Sequence, residues 1–310
     1  QAVRSKVDFL TLCKTPELAA EVTIQPVERL KVDVAILFSD ILVVVEPMGM
    51  KLEFCEAKGP VLHDPIRNEA GVRRLRTIKP AADLPYVTDT IKILTKELKV
   101  PLIGFSGAPF TLATYMIEGG SSRNYIHMKR MMYSEPETFK LLMDKTTDVV
   151  ISYLKAQIDA GVNAVQVFDS WAGILSPVDF EIFALPYVQR IIAELKAYAP
   201  TIPVIFFAFN TSGMVERVKK SGADVIGLDW RIDMSDAIAR LGTDVSVQGN
   251  LDPCTLFGKK EVIREKVGGI IKGAQGAKGH IFNLGHGILP ETPVENAIAM
   301  VEAVHELSSR

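Results

Sequence analysis

The feature that most constrains the fold of this chain is the alternation of short apolar runs with longer segments of helical periodicity. Seven apolar runs end in polar residues or glycine, at residues 34–38, 102–105, 164–168, 204–207, 225–228, 245–248 and 280–283. Alternation of this kind is typical of a parallel α/β fold, because consecutive parallel strands need a crossover connection that is usually a helix.

Two helix-to-strand junctions, at residues 159–169 and 220–229, also resemble each other. Each has a glycine after the helix, then an apolar strand, then an aspartate. Such repetition favours a barrel built from βα units, and 310 residues are enough for one. We therefore expect an α/β fold, a (β/α)8 TIM barrel that forms a single domain over residues 1–310. A closed barrel has eight strands, so one strand is either disguised or precedes residue 1.

Local signals place three helices and one insertion. Thr15 and Pro16 begin a helix whose apolar face holds Leu18, Val22 and Leu30. A second helix begins at residues 134–137 and ends at Gly161, and a third runs from residues 292–293 towards residue 307. The segment 41–62 is interrupted by prolines and glycines, and it predicts an inserted hairpin.

Composition excludes several classes of protein. Apolar residues make up 48% and charged residues 23% of the chain, which is typical of globular domains, and the net charge of −2 offers no general attraction for nucleic acid. Cys13, Cys55 and Cys254 are too scattered for a disulfide scaffold or a zinc cage. No stretch predicts a membrane span or a signal peptide. We expect a cytoplasmic protein, or a plastid stromal one if the source is a photosynthetic eukaryote.

Polar residues that follow the apolar runs are the candidate functional residues, because barrel enzymes carry their chemistry at the carboxyl ends of the strands. Asp40 follows the first run, where its carboxylate either faces a substrate or caps the next turn. Tyr115 is either a cleft residue or a core aromatic. His286, between two glycines, either exchanges protons with a ligand or packs structurally. Ser170 has no histidine partner at a nucleophile elbow, so acyl transfer is unsupported.

Six motifs follow these runs in a fixed order. They are Phe-Ser-Asp-Ile-Leu at 38–42, Gly-Ala-Pro-Phe-Thr at 107–111 with Thr-Tyr-Met-Ile-Glu-Gly-Gly at 114–120, Phe-Asp-Ser at 168–170, Gly-Leu-Asp-Trp at 227–230, Gln-Gly-Asn-Leu-Asp-Pro at 248–253 and Asn-Leu-Gly-His-Gly at 283–287. Any one alone is weak, but together they resemble the uroporphyrinogen decarboxylases of haem and chlorophyll biosynthesis over nearly the whole chain.

The resemblance implies a carboxy-lyase that forms a homodimer and uses no cofactor or metal. Its reaction removes the four acetate carboxyl groups of uroporphyrinogen III as CO₂ and gives coproporphyrinogen III. Loss of CO₂ from a pyrrole acetate needs an electron sink, which protonation of the pyrrole ring supplies. A buried carboxylate such as Asp40 can stabilise the resulting cation. The proton donor stays open between arginines, a water molecule and a substrate carboxyl group.

The family's substrate-binding residues correspond here to Asp40, Tyr115, Ser170, His286, Phe105 and Phe168. Of these, Asp40 corresponds to the carboxylate that binds the pyrrole N–H groups, and Asp40, Tyr115 and His286 are the expected catalytic residues. The two phenylalanines correspond to apolar cleft walls.

One part of the family pattern is missing. The family's first strand ends in an Arg-Gln-Ala-Gly-Arg-Tyr motif whose arginines meet substrate carboxylates, whereas this chain begins Gln-Ala-Val-Arg-Ser-Lys. The missing motif coincides with the missing strand. We therefore expect the barrel of residues 1–310 to lack its first strand and the arginine-containing loop.

Two other functions compete with decarboxylation. Corrinoid methyltransferases share the fold and bind zinc through His-x-Cys and a further Cys. Here residues 207–212 read Phe-Ala-Phe-Asn-Thr-Ser and the last strand is followed by His286, which disfavours that function. A barrel that binds a tetrapyrrole without catalysis is the third possibility.

Overall fold

The apolar runs form one curled sheet in the computed structural model of the chain, which describes residues 7–55 and 59–308. The strands are β1 (Ala35–Ile36), β2 (Leu52–Cys55), β3 (Gly59–Leu62), β4 (Leu102–Gly107), β5 (Ala164–Asp169), β6 (Val204–Ala208), β7 (Val225–Gly227), β8 (Ser246–Leu251) and β9 (His280–Leu284). Seven of them pair in parallel in the order β1-β4-β5-β6-β7-β8-β9. Each of the seven overlaps one predicted run, so the prediction of a TIM-barrel-like α/β fold in a single domain is confirmed.

Helices connect and surround these strands. They are α1 (Phe9–Lys14), α2 (Pro16–Leu30), α3 (Glu69–Arg73), α4 (Pro80–Asp83), α5 (Pro85–Glu97), α6 (Pro109–Glu118), α7 (Ile126–Ser134), α8 (Pro136–Ala160), α9 (Pro177–Phe183), α10 (Leu185–Tyr198), α11 (Val215–Lys219), α12 (Met234–Leu241), α13 (Lys260–Gly273) and α14 (Val294–Ser308). None of the helices in the described ranges is both long and apolar enough to cross a membrane.

The three predicted helices are present as α2, α8 and α14. Helix α8 stops at Gly161, whose φ of 113° lies in the left-handed region that favours glycine. Helix α2 begins at Pro16 as predicted, but its buried face differs from the prediction. The buried residues are Ala19, Ala20 and Thr23, whereas Leu18, Val22 and Leu30 are only partly buried. Small side chains occupy the face because α2 packs closely against its neighbours.

The predicted hairpin at 41–62 is only half right. Strands β2 and β3 do pair as an antiparallel hairpin, but residues 41–49 fold into consecutive turns. In those turns Leu42, Val43, Val44 and Val45 are all at most 1% exposed. The apolar run that predicted a strand therefore packs into the core through turns instead.

Edges β1 and β9 of the sheet are not paired with each other in the described ranges, and a cavity of about 730 Å³ lies between them. Ile36, Ile103 and Ile281 contribute to its lining. The expected arginine-containing loop and first strand bear on residues 1–6 and on anything before them, which lie outside the described residues. That part of the domain expectation stays a prediction.

A buried glutamine completes the hydrogen bonding of β4. Leu37 donates to the carbonyl of Ile103, and alternate residues of a parallel strand face the same neighbour, so Phe105 also faces β1. There β1 has already ended. Gln157 of α8, which is 0% exposed, accepts from the Phe105 N–H and donates to its carbonyl, both at 2.8 Å. Gly104 leaves room for this amide, because a Cβ there would collide with the Gln157 Oε1 atom.

We predict that Gln157→Leu lowers the free energy of unfolding by about 3 kcal/mol, because it leaves a buried backbone N–H and C=O without partners. Urea denaturation measures the change. Gln189→Leu is the matched control, since the exposed Gln189 also donates to a backbone carbonyl, that of Lys220. We expect that control to lose less than about 1 kcal/mol. Equal losses in the two variants would contradict the role given to Gln157.

Candidate functional site

Candidate residues from four strands lie at one edge of the sheet. Asp40 follows β1, Tyr115 lies in α6 after β4, Ser170 follows β5 and His286 follows β9. Because the paired strands are all parallel, these carboxyl ends lie at the same edge.

Asp40 caps the turn that follows β1, and its role towards a substrate stays a prediction. Its Oδ1 atom accepts a hydrogen bond of 2.8 Å from the Leu42 N–H and so caps the turn. No other described residue donates to the carboxylate, so Oδ2 is available to a ligand. Burial raises the pKa of Asp40 to about 6, and the Leu42 N–H partly opposes this shift. The site therefore holds a desolvated carboxylate with one oxygen fixed and one unpaired.

Tyr115 lies close enough to Asp40 for their charges to interact. Burial raises the pKa of Tyr115 to about 12, and the negative charge of Asp40 contributes to the shift. The hydroxyl therefore stays protonated at neutral pH. The Tyr115 ring lies 5.6 Å from the Trp171 ring, which in turn lies 5.3 Å from Tyr125, with distances between centroids. Tyr115 thus belongs to an aromatic cluster beside the carboxylate.

A row of aromatic rings extends across the edge of the sheet from Phe105. Phe105 contacts Phe168 at 5.5 Å, Phe168 contacts Phe207 at 6.0 Å, and Phe207 contacts Phe209 at 6.3 Å between centroids. These rings come from neighbouring strands β4, β5 and β6 and the residues after them. They form an apolar surface between the end of β1 and the end of β9.

His286 lies at the far end of this row. Its ring is 4.6 Å from that of Phe209, although the residue as a whole is exposed. Partial burial of the ring lowers the pKa of His286, and the Arg231 guanidinium lowers it further, while Asp229 acts in the opposite direction. The histidine is therefore mainly neutral near pH 7. Gly285 lets this loop approach the segment that follows β7, since a Cβ at residue 285 would lie 2.6 Å from the backbone nitrogen of Trp230.

Asp229 ties two loops of the site together. Its Oδ2 accepts from the Asn210 N–H at 2.5 Å, and its Oδ1 accepts from the Arg231 N–H at 2.8 Å and from the Ser212 hydroxyl at 3.4 Å. The residue is 3% exposed. The loop after β6 is thereby held to the loop after β7.

Asp169 anchors α6 to the end of β5. It is fully buried, and its Oδ1 accepts a hydrogen bond of 2.6 Å from the Thr111 hydroxyl, which itself accepts from the Trp171 N–H at 3.2 Å. Its Oδ2 has no partner. Burial raises the pKa of Asp169 to about 7 despite the Thr111 bond. Because Thr111 and Tyr115 are four residues apart on α6, this contact also orients the tyrosine.

The predicted residues lie in two groups, one at each end of the aromatic row, with Phe105 and Phe168 within the row. Asp40 and Tyr115 interact at one end, His286 lies at the other, and Phe105 and Phe168 contact each other between them. Ser170 is partly buried beside Trp171 and makes no hydrogen bond within the described part of the chain. The roles assigned to these six residues stay predictions.

Sequence reasoning missed Arg231, Phe209 and Trp171. Arg231 directly follows the Gly-Leu-Asp-Trp motif, and that position after a strand was a usable signal.

In residues 7–55 and 59–308, no group of three or more His, Cys, Asp and Glu side chains is arranged to hold a metal ion.

We predict that Asp169 makes stability depend on pH. Its pKa is raised from an ordinary value near 4, so protonation stabilises the fold, and this contribution is lost as the pH rises through about 7. Between about pH 5.5 and 7.5 the wild type should lose about 2 kcal/mol of unfolding free energy relative to Asp169→Asn, which is neutral throughout. Urea titrations at several pH values measure this.

Thr111→Val provides the matched change on the other side of the hydrogen bond. It removes the donor that favours the charged form, so the pH dependence should become larger. Parallel pH curves for the wild type and Asp169→Asn would refute the assignment.

Comparison with known proteins identifies the family and the fold. The family model for uroporphyrinogen decarboxylase (URO-D) matches residues 1–307. A uroporphyrinogen decarboxylase of Geobacter metallireducens is 56% identical over 311 residues, covering 100% of this chain and 90% of that protein. One from Carboxydothermus hydrogenoformans is 55% identical over 309 residues, covering 99% of this chain and 88% of that protein. Both organisms are bacteria, and neither relative supports the plastid location considered above.

Among solved structures, a methyltransferase from Methanosarcina mazei superposes with a TM-score of 0.84 at 19% identity, covering 99% of this chain and 91% of that one. A B12-independent methionine synthase from a Shewanella species gives a TM-score of 0.62 at 14% identity, covering 97% of this chain and 90% of that one. At such low identity these two comparisons concern the fold alone. The match to the family over residues 1–307, together with relatives that are more than half identical over essentially the whole chain, shows that this chain belongs to the uroporphyrinogen decarboxylase family.

Proposed function

We propose that this chain decarboxylates uroporphyrinogen III to coproporphyrinogen III in porphyrin biosynthesis. The observation that carries the proposal is the Asp40 carboxylate, which has one oxygen bonded to the Leu42 N–H and the other without a hydrogen bond, close to Tyr115. A porphyrinogen carries four pyrrole N–H donors on a flexible ring, and these can converge on a single acceptor. A desolvated carboxylate is well suited to that task, since hydrogen bonds to a charged acceptor are strong.

The carboxylate also suits the chemistry of the reaction. A proton adds to the pyrrole ring and makes a cation, the bond to the acetate carboxyl group breaks, and its electrons neutralise the ring as CO₂ leaves. The exocyclic methylene carbon then takes a proton, the ring loses one, and a methyl group results. Each acetate thus exchanges CO₂ for one proton. Asp40 would stabilise the cation from a fixed position, which costs no reorganisation during the reaction.

The other side chains would position the substrate. Tyr115 stays protonated because its pKa is raised to about 12, so it can donate a hydrogen bond but cannot serve as a base at neutral pH. Phe105 and Phe168 would contact the faces of the macrocycle, and Ser170 and His286 would bind its polar side chains. The homodimer expected for the family belongs to the same proposal.

The competing functions have less support. A zinc methyltransferase of this fold needs a cluster of zinc ligands, and no such cluster forms among the described residues. A barrel that binds the tetrapyrrole without turnover would release no CO₂ from uroporphyrinogen III and form no coproporphyrinogen III. Chromatography of the reaction products distinguishes it from a decarboxylase.

We predict that Asp40→Asn folds normally but loses at least about 100-fold in kcat/KM. The Asn oxygen can keep the bond to the Leu42 N–H, so the amide nitrogen takes the outer position and presents donors to the pyrrole N–H donors. Steady-state assays measure the loss and thermal unfolding checks the fold. Asp40→Glu should also lose rate, because a shift of about 1 Å is costly even when the charge is kept.

Asp252→Asn is the matched control for the turn cap. Its Oδ1 accepts from the N–H of Cys254, two residues on, in the same geometry as Asp40 with Leu42. We expect near-normal turnover from this control. If Asp40→Asn also keeps near-normal turnover, Asp40 is only a turn cap and its catalytic assignment is wrong.

We predict that kcat/KM falls about tenfold per pH unit below about pH 6, because the free enzyme needs ionised Asp40 and burial raises the pKa of Asp40 to about 6. In Asp40→Asn the residual activity should lack this acid limb. A pH profile of both proteins with uroporphyrinogen III tests this. An unchanged limb in the variant would assign the titration to another group.

A further inference from the structure

Arg231 is a cation near the His286 end of the aromatic row, and no role has been given to it so far. It follows β7 and Trp230, and its side chain is 40% exposed. The guanidinium carbon lies 4.2 Å from the centre of the Trp230 ring and 4.7 Å from that of the Phe209 ring. These rings hold the guanidinium in place by cation–π contact. Arg231 is therefore pre-oriented without being enclosed.

Asp229 does not use the hydrogen-bonding capacity of this arginine. The closest approach is 3.8 Å, from Nη1 to Oδ2, which is too long for a hydrogen bond. The Asp229 oxygens already accept from two backbone N–H groups and the Ser212 hydroxyl. No other acceptor in the described ranges bonds to the Arg231 guanidinium, so all of its N–H donors are available.

Arg240, on the neighbouring helix α12, is an arginine whose three guanidinium nitrogens all donate hydrogen bonds within the protein. Its Nε and Nη2 donate to the two Glu216 oxygens at 2.6 and 2.7 Å, and its Nη1 donates to the Ser212 carbonyl at 2.7 Å. An arginine that only stabilises a loop satisfies its donors in this way. Arg231 is held by rings instead, and its guanidinium makes only the 3.8 Å ion-pair contact with Asp229 and no hydrogen bond within the described ranges.

Arg231 also has the right neighbours for a ligand contact. Phe209 touches both the Arg231 guanidinium and the His286 ring, and Phe209 is the last ring of the row that starts at Phe105. A macrocycle lying on that row with its centre near Asp40 would extend side chains towards this end. Those side chains are acetates and propionates.

We propose that Arg231 binds a peripheral carboxylate of the porphyrinogen substrate through its guanidinium. This inference rests on the proposed function. A guanidinium offers two parallel N–H donors that match a carboxylate, and the ring contacts already limit its conformational freedom. Binding therefore costs little side-chain entropy. The contact lies at the opposite end of the row from Asp40, so it acts on substrate affinity rather than on the chemical step.

The test compares Arg231→Gln, Arg231→Lys and the control Arg240→Gln with the wild type in uroporphyrinogen III turnover. We expect Arg231→Gln to raise KM by about 10- to 100-fold, the effect of losing a hydrogen-bonded charge pair, with kcat changed less than about threefold. Arg231→Lys should restore part of the affinity because it keeps the charge. Arg240→Gln should lower the melting temperature and leave KM unchanged.

The dependence of KM on ionic strength is a second measurement. A purely structural role for Arg231 would leave that dependence unchanged. Raising the salt concentration should increase the wild-type KM more than that of Arg231→Gln, because the variant lacks the screened contact. Quenching of tryptophan fluorescence by uroporphyrinogen III measures affinity directly and works whether or not turnover occurs.

The outcomes separate the two proposals. A folded Arg231→Gln protein with KM and fluorescence affinity within twofold of an active wild type overturns the role of Arg231 alone. A wild type that binds without turnover overturns the proposed function, while the affinity of Arg231→Gln still decides on Arg231. A wild type that neither binds nor turns over uroporphyrinogen III overturns both.

Discussion

The hydrogen bond from the Leu42 N–H to Oδ1 of Asp40 is the interaction on which the candidate site depends. It fixes the carboxylate at the end of β1 and directs the second oxygen away from the turn. Three strand-end aspartates show how the number of donors determines what such a group can do. Asp229 accepts three hydrogen bonds and joins two loops, whereas Asp169 keeps one oxygen unpaired inside the protein. Asp40 alone of the three has a free oxygen in a partly exposed residue.

Packing behind the site supports this arrangement. The bond from Thr111 to Asp169 fixes α6 against β5, and α6 carries Tyr115 one turn later. Gln157 holds β4, which carries Phe105, where β1 has ended. Phe105, Phe168 and Tyr115 therefore lie on regular elements, whereas Asp40, in the loop after β1, is held by the Leu42 N–H. Rigid support of this kind is what electrostatic stabilisation requires, since the charge must already be in position when the cation forms.

Much of the fold was predictable because strands buried on both faces appear as continuous apolar runs. Residues 41–49 were not, since their buried valines resemble a strand but fold as turns. Positions at the strand ends led to Asp40 and His286, because the parallel sheet brings those ends together whatever the loops do. The orientation of Arg231 and Trp171 depends on rings far away in sequence, such as Phe209 and Tyr115, and no local pattern encodes those contacts.

Net charge adds a constraint on how such a site can hold a polyanion. With 35 basic and 37 acidic residues the chain carries about −2, so its overall field does not attract a porphyrinogen with many carboxylates. Beyond about 8 Å, salt screens most exposed charges in any case. Attraction must then come from groups in direct contact with the substrate. The fold is shared with a methyltransferase that is only 19% identical, so the fold alone does not determine the chemistry, which depends on the individual side chains that the strand ends carry.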